Sequence, residues 1–255
     1  MRVNQTTVYS GKVLYVPNSS TGTKLQLENL SYNSSRNEWN FEVLTSTPVE
    51  GQQMSNWCWA TGARMMSRYY YPAVSRTQSQ AVTHVKEQLV NEGGWENEGR
   101  DAVLYYIGNV TSDTLSMRYC ISDGSSSCRI FSESTLRKFL NDGHVVYITR
   151  SWYNASNKRT GGHVYVISGY TTSYSSSGIE YEYIVHDPWP ANGTTQPGKD
   201  TPVVTSGQKL TRSYEWICNG RTVSSSEGRD TGIWEGFVVV NTSYSTSTIL
   251  PAYDW

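Results

Sequence analysis

From Cys58 onward the apolar residues of this chain change their spacing once, near residue 144, and that change constrains the fold more than any other feature. Upstream, Trp59, Ala63, Met66 and Tyr70 recur at helical spacing after Cys58, until Pro72 stops the pattern. The same spacing predicts a second helix over about 78–91, with Val82, Val85 and Leu89 inward, and a short third helix over 101–107. A fourth is predicted over 132–141, with Leu136, Phe139 and Leu140 inward and Asp142-Gly143 ending it. Downstream the apolar residues alternate, so 144–152, 163–170, 179–187 and 236–241 read as strands. Helices first and an antiparallel sheet afterwards define an α+β chain.

Ahead of the first helix, 13–16, 25–27 and 39–43 read as short strands between Asn, Ser and Gly turns, and Pro48 and Gly51 mark a connection. The division is therefore a β-rich extension over residues 1–45 and a main domain over 46–255. The extension fits a prosegment remnant, a recruiting appendage, or strands that complete the main sheet. The apolar fraction, 37%, is low for a domain of 255 residues, but 19 Tyr and 9 Trp supply large buried areas with polar handles.

Charge excludes several classes of partner. Lys+Arg number 21 against 22 Asp+Glu, without a basic stripe, which argues against nucleic acid and anionic membranes. No apolar run approaches the ~20 residues of a transmembrane helix. The start, Met-Arg-Val-Asn-Gln-Thr, has no apolar leader. Abundant Ser and Thr with only 17% charge favour a secreted protein whose leader has been removed, with the cytoplasm as the alternative. Cys120 and Cys128 flank a turn-rich Ile-Ser-Asp-Gly-Ser-Ser-Ser that would close a short disulfide loop, or they stay reduced. The four cysteines lack zinc spacing, so neither a metal nor an organic cofactor is expected.

Cys58 stands where the first helix begins. A helix N-terminus presents unpaired N–H groups and a positive dipole end, which favour a reactive thiol; an isolated cysteine is otherwise a small buried hydrophobe. Four histidines compete for the role of its base. His84 lies on a helix surface, His144 follows a helix end, and His186 alternates with Asp187 and so points to the opposite face. His163 opens a strand after Gly161-Gly162. A hairpin centred on Ser175 would set His163 directly opposite Asp187, about 5 Å apart at Cβ. A purely structural His–Asp pair fits the same pattern.

The residues around these positions resemble the papain-like cysteine peptidases. Gln52-Gln-Met-Ser-Asn-Trp-Cys58-Trp59 is similar to that family's active-site opening, although its usual glycines before the cysteine are replaced by Ser55-Asn56-Trp57. Gly162-His-Val-Tyr-Val-Ile-Ser-Gly-Tyr170 is similar to its histidine strand, and Asp187-Pro188-Trp189 stands in place of its Asn-Ser-Trp. Aspartate there resembles a bacterial subgroup that includes secreted effector peptidases and bacteriocin-leader peptidases. Further likeness lies in 140–146, 213–216 and 234–236, so that it runs from about Pro48 to Asn241.

The resemblance implies a papain-like fold and a cysteine endopeptidase working through a thioester. Cys58 would be the nucleophile, His163 the base and Asp187 its orienting group. Gln52, in preference to Gln53, would bind the oxyanion, and Trp189 would shield the His–Asp bond. The substrate would be a protein or peptide; oligomeric state is open. An amidase, deamidase or transglutaminase-like enzyme would use the same triad, and a silent binding module is the remaining alternative.

Overall fold

The computed structural model describes residues 14–17, 24–33, 38–44, 47–108, 115–119, 132–141, 143–153, 159–175, 178–219 and 233–240. In chain order these form β1 (Leu14–Pro17), β2 (Lys24–Asn33), β3 (Glu38–Leu44), α1 (Cys58–Tyr70), α2 (Gln78–Lys86), α3 (Glu96–Ile107) and β4 (Leu115–Tyr119). They continue as α4 (Glu133–Asn141), β5 (Val146–Tyr153), β6 (Arg159–Ser175), β7 (Gly178–Asp187), β8 (Gln208–Ser213), α5 (Tyr214–Asn219) and β9 (Ile233–Val240). Cys120 and Cys128 lie outside the described residues.

Among the described residues the strands form one sheet in the order β1-β2-β3-β6-β5-β9-β4, with β7 on the other edge of β6 and β8 on β7. Every pairing between these described strands is antiparallel. The long strand β6 organises it. One edge of β6 pairs with β5 as far as Ile167 and then with β3 from Gly169 to Thr171, while β7 takes the opposite edge. The early strands β1–β3 thus join the sheet through β3.

Alternation along β5 and β6 sends neighbouring side chains into two cores. Tyr147, Val164 and Val166 pack with Trp59, Ala63 and Met66 of α1 and with residues of α2 and α3. Val146, Ile148, Tyr165 and Ile167 pack with Leu136 and Leu140 of α4 and with Trp216 and Ile217 of α5. Both faces of the central strands are therefore covered by helices, and 145–148 and 164–167 are unbroken apolar runs rather than the alternation expected. Helices packed on an antiparallel sheet are compatible with a papain-like peptidase fold. Gly62 lets α1 lie close on β6, since a Cβ there would stand 2.5 Å from a Val164 methyl.

Several expected boundaries move. α2 stops at Lys86 because Glu87 adopts left-handed backbone, φ 61°; Leu89, expected inward, is 56% exposed. α3 begins five residues earlier than expected. The Glu98 carboxylate accepts a hydrogen bond from the Trp95 N–H, closing the first turn where the chain shows no Ser, Thr or Asp cap. Gly99 looks like a helix breaker, yet it sits where a Cβ would strike the Tyr147 hydroxyl. His144 is not in a strand, since β5 begins at Val146, and β9 begins at Ile233.

The β6–β7 hairpin also differs. It closes on the pair Ser175–Gly178, and the register shifts between Ile167 and Gly169, leaving Val166 opposite His186. Continued, this register sets Asp187 opposite Tyr165. His163 is therefore diagonal to Asp187 rather than directly across from it.

Candidate active site

The helix that begins at Cys58 is held in place by the residues around the cysteine. Trp57 and Trp59 are fully buried, and their indole N–H groups donate to the carbonyls of Val90 and Glu92 at 2.8 and 3.0 Å. Truncating a buried tryptophan typically costs about 3–5 kcal/mol, and these two tie the loop after α2 to the start of α1. Cys58 itself is half-buried.

His163 reaches the cysteine from β6. Its Nε2 lies 2.7 Å from Asp187 Oδ1, which leaves the second ring nitrogen for the Cys58 thiol, with which the ring also makes a hydrogen bond. The Tyr165 ring stands edge-on to the imidazole, 4.8 Å between centroids. Burial alone would depress the imidazole pKa. The charges and hydrogen bonds of Asp187 and Cys58 outweigh it and raise His163 to about 10.

The Asp187 carboxylate is oriented by its own chain. Oδ1 also accepts from the Trp189 N–H at 2.7 Å, the two-residue reach of an Asx turn. The Trp189 carbonyl in turn accepts from Gln208 Nε2 at 2.9 Å.

Gln52 is fully buried beside the turn into α1. Its Nε2 donates to the carbonyls of Met54 and Ser55 at 2.9 and 2.8 Å, while Oε1 has no protein partner. Donation to a third acceptor requires one of these bonds to give way. The other histidines lie elsewhere. His84 is exposed and stacks on Tyr105. His144 is buried, 3.4 Å from the Tyr70 hydroxyl. His186 turns from Asp187 toward Ser168.

Two features escaped the sequence reading. Asn91 joins three segments: its Oδ1 accepts from the Asn56 N–H, and its Nδ2 donates to Ser55 Oγ and the Lys199 carbonyl. The β7–β8 connection is strapped along the segment before Cys58. Gln52 N–H donates to the Pro188 carbonyl, Ser55 N–H to Gly198, and Gly198 and Val203 N–H groups to Gln53. Partners so far apart in sequence leave no local signal.

A cysteine at a helix start, facing a strand histidine paired with a carboxylate, belongs to the chemistry of thiol hydrolases. The Peptidase_C39-like family model matches residues 44–217. The chain belongs to that family, a family of cysteine peptidases in the papain-like clan. Membership supports a cysteine peptidase hydrolase with a protein substrate. A comparison with curated proteins finds none that matches. No helix among the described residues is long and apolar enough to cross a membrane.

Proposed function

We propose that the chain is a cysteine endopeptidase that cleaves peptide bonds through a thioester intermediate. The observation that carries this reading is the placement of His163 between the Cys58 thiol and the Asp187 carboxylate. His163 takes the Cys58 proton, and the sulfur attacks the substrate carbonyl. The Cys58 N–H and Gln52 stabilise the oxyanion, and His163 returns the proton to the leaving amine. Water, deprotonated by His163, then attacks the thioester and releases the acid and free Cys58. Asp187 orients the ring throughout, and Trp189 shields their bond. Residues 46–255 form the catalytic domain of this proposal and residues 1–45 its extension. The Ser/Thr-rich, weakly charged composition and the aspartate of the triad support a secreted bacterial enzyme.

The test is an epoxysuccinyl thiol-protease inhibitor followed by peptide mapping. Cys58 should carry the label in the intact protein and lose it in His163→Ala. Cys218 is an internal control. It is buried, and burial pushes its thiol up to about 11, so it should stay unmodified. No label on Cys58 would defeat the proposal, and ammonia release from glutamine without peptide cleavage would move it to an amidase. Gln52→Ala should lower kcat by roughly 10²-fold, the scale of one oxyanion donor. An unchanged rate takes Gln52 out of the mechanism.

A further inference from the structure

The register of β6 against β7 breaks once, and the break decides whether His163 can meet Asp187. From Ser175–Gly178 to Gly169–Ile184 the partners run one for one; beyond that Ile167 faces Val185 and Val166 faces His186. Ser168 is the extra residue of a β-bulge. Had the first register continued, Asp187 would stand opposite Val166, and His163, three residues along β6, would project from the other face. The bulge brings Asp187 opposite Tyr165, on the face of His163 and at the diagonal spacing that a ring and a carboxylate can bridge.

Ser168 is completely buried in an apolar strand, where a hydroxyl is costly unless bonded. Its Oγ lies 3.0 Å from His186 Nε2 and 3.5 Å from the Ile184 carbonyl. Both groups belong to β7 and stand on either side of the register break. His186 precedes Asp187 directly. Burial, aided by Lys209 opposite it on β8 and only partly offset by a hydrogen bond with the Pro48 backbone, holds its imidazole down to about 4, so it stays neutral at ordinary pH.

We propose that Ser168 and His186 are positioning residues whose hydrogen bond pins the bulge to β7 and so keeps Asp187 on the face of His163. This rests on the roles proposed above for His163 and Asp187. The groups that bear on His163 are Asp187 from β7, Cys58 from α1 and Tyr165 from its own strand. Arg150 stands across from it on β5, with its guanidinium 3.7 Å from the Trp216 ring centroid.

The test is the titration of the His163 ring, followed by imidazole NMR on the full chain, with thermal midpoints measured alongside. Ser168→Ala and His186→Leu should each lower the His163 midpoint by about one pH unit or more, toward that of Asp187→Ala, since a neighbouring charge acts on that scale. His186→Gln, whose amide reaches the place of Nε2, should keep the wild-type midpoint. A purely structural pair would lower the thermal midpoint and leave the His163 titration unchanged in the Ala and Leu variants, which overturns the proposal. A loss in His186→Gln equal to that in His186→Leu overturns it too. If Ser168→Ala does not fold, the contrast between Leu and Gln at 186 decides. If Asp187→Ala leaves His163 unmoved, the His163–Asp187 pairing itself has failed, and the positioning role falls with it.

Discussion

Cys58→Ala should reduce peptide hydrolysis to background, a loss of at least ~10⁴-fold, because knocking out a covalent nucleophile removes the reaction path itself. Stability should hardly change. Cys58 is half-buried, alanine keeps the Cβ at the helix start, and Trp57 and Trp59 still hold the adjoining loop. Losing one partly buried sulfur is worth about 1 kcal/mol or less, or roughly 2–4 °C for a chain of this size. Cys58→Ser should be almost as inactive, since a hydroxyl is a far weaker nucleophile in a site built for a thiol. The measurements are kcat/KM on an unfolded protein substrate and a thermal melt of the same preparation. Turnover within tenfold of wild type in Cys58→Ala would remove the thioester mechanism, whatever the melt shows.

The segment around Cys58 was legible because two local signals coincide there. Helical spacing begins at Cys58, and the Gln52-to-Trp59 run carries the family likeness. The strands were legible where β-branched and aromatic residues concentrate, as along β5, β6 and β7. Their register was not. A bulge appears in sequence only as one serine among apolar residues, and a shift of one residue exchanges the faces of a strand. Centring the hairpin on Ser175 placed His163 and Asp187 on a common face by assuming a regular ladder, whereas the structure does so through Ser168 and a closing pair three residues apart. The early end of α2 was hidden for a related reason. Residues 87–94 leave the helix to satisfy the indoles of Trp57 and Trp59 and the amide of Asn56, and tertiary bonds of that kind leave no periodicity behind. Strand β8 and helix α5 are short, and β8 alternates between half-buried and exposed residues, which gives weak apolar contrast.

Asp187→Ala should cost about 10³-fold in kcat/KM, somewhat less than the ~10⁴ of the corresponding asparagine change in a serine-protease triad. Two bonds are lost together, because one oxygen, Oδ1, accepts from both His163 Nε2 and the Trp189 N–H. The ring loses its orienting acceptor, and the turn that carries Trp189 loses its closure. Asp187→Asn should be much milder, within about tenfold, since a carboxamide oxygen can accept the same two bonds. What asparagine lacks is charge, and that has a definite sign. The Asp187 carboxylate favours the protonated ring, so the folded pKa of His163 lies above its unfolded value of about 6.5. The resulting stabilisation is complete below the unfolded value and fades as pH rises toward the folded one. Removing the charge lowers the folded value, so in Asp187→Asn the alkaline limb of the pH–rate profile should move to lower pH, and alkaline unfolding should begin earlier. The acidic side should be little affected, because the ring is protonated there in both proteins. Comparing kcat/KM for the two variants across pH separates the roles. If asparagine proves as damaging as alanine at neutral pH, charge rather than orientation is what Asp187 supplies. If the alkaline limb does not move, Asp187 does not govern the His163 titration, and another group must hold the imidazolium.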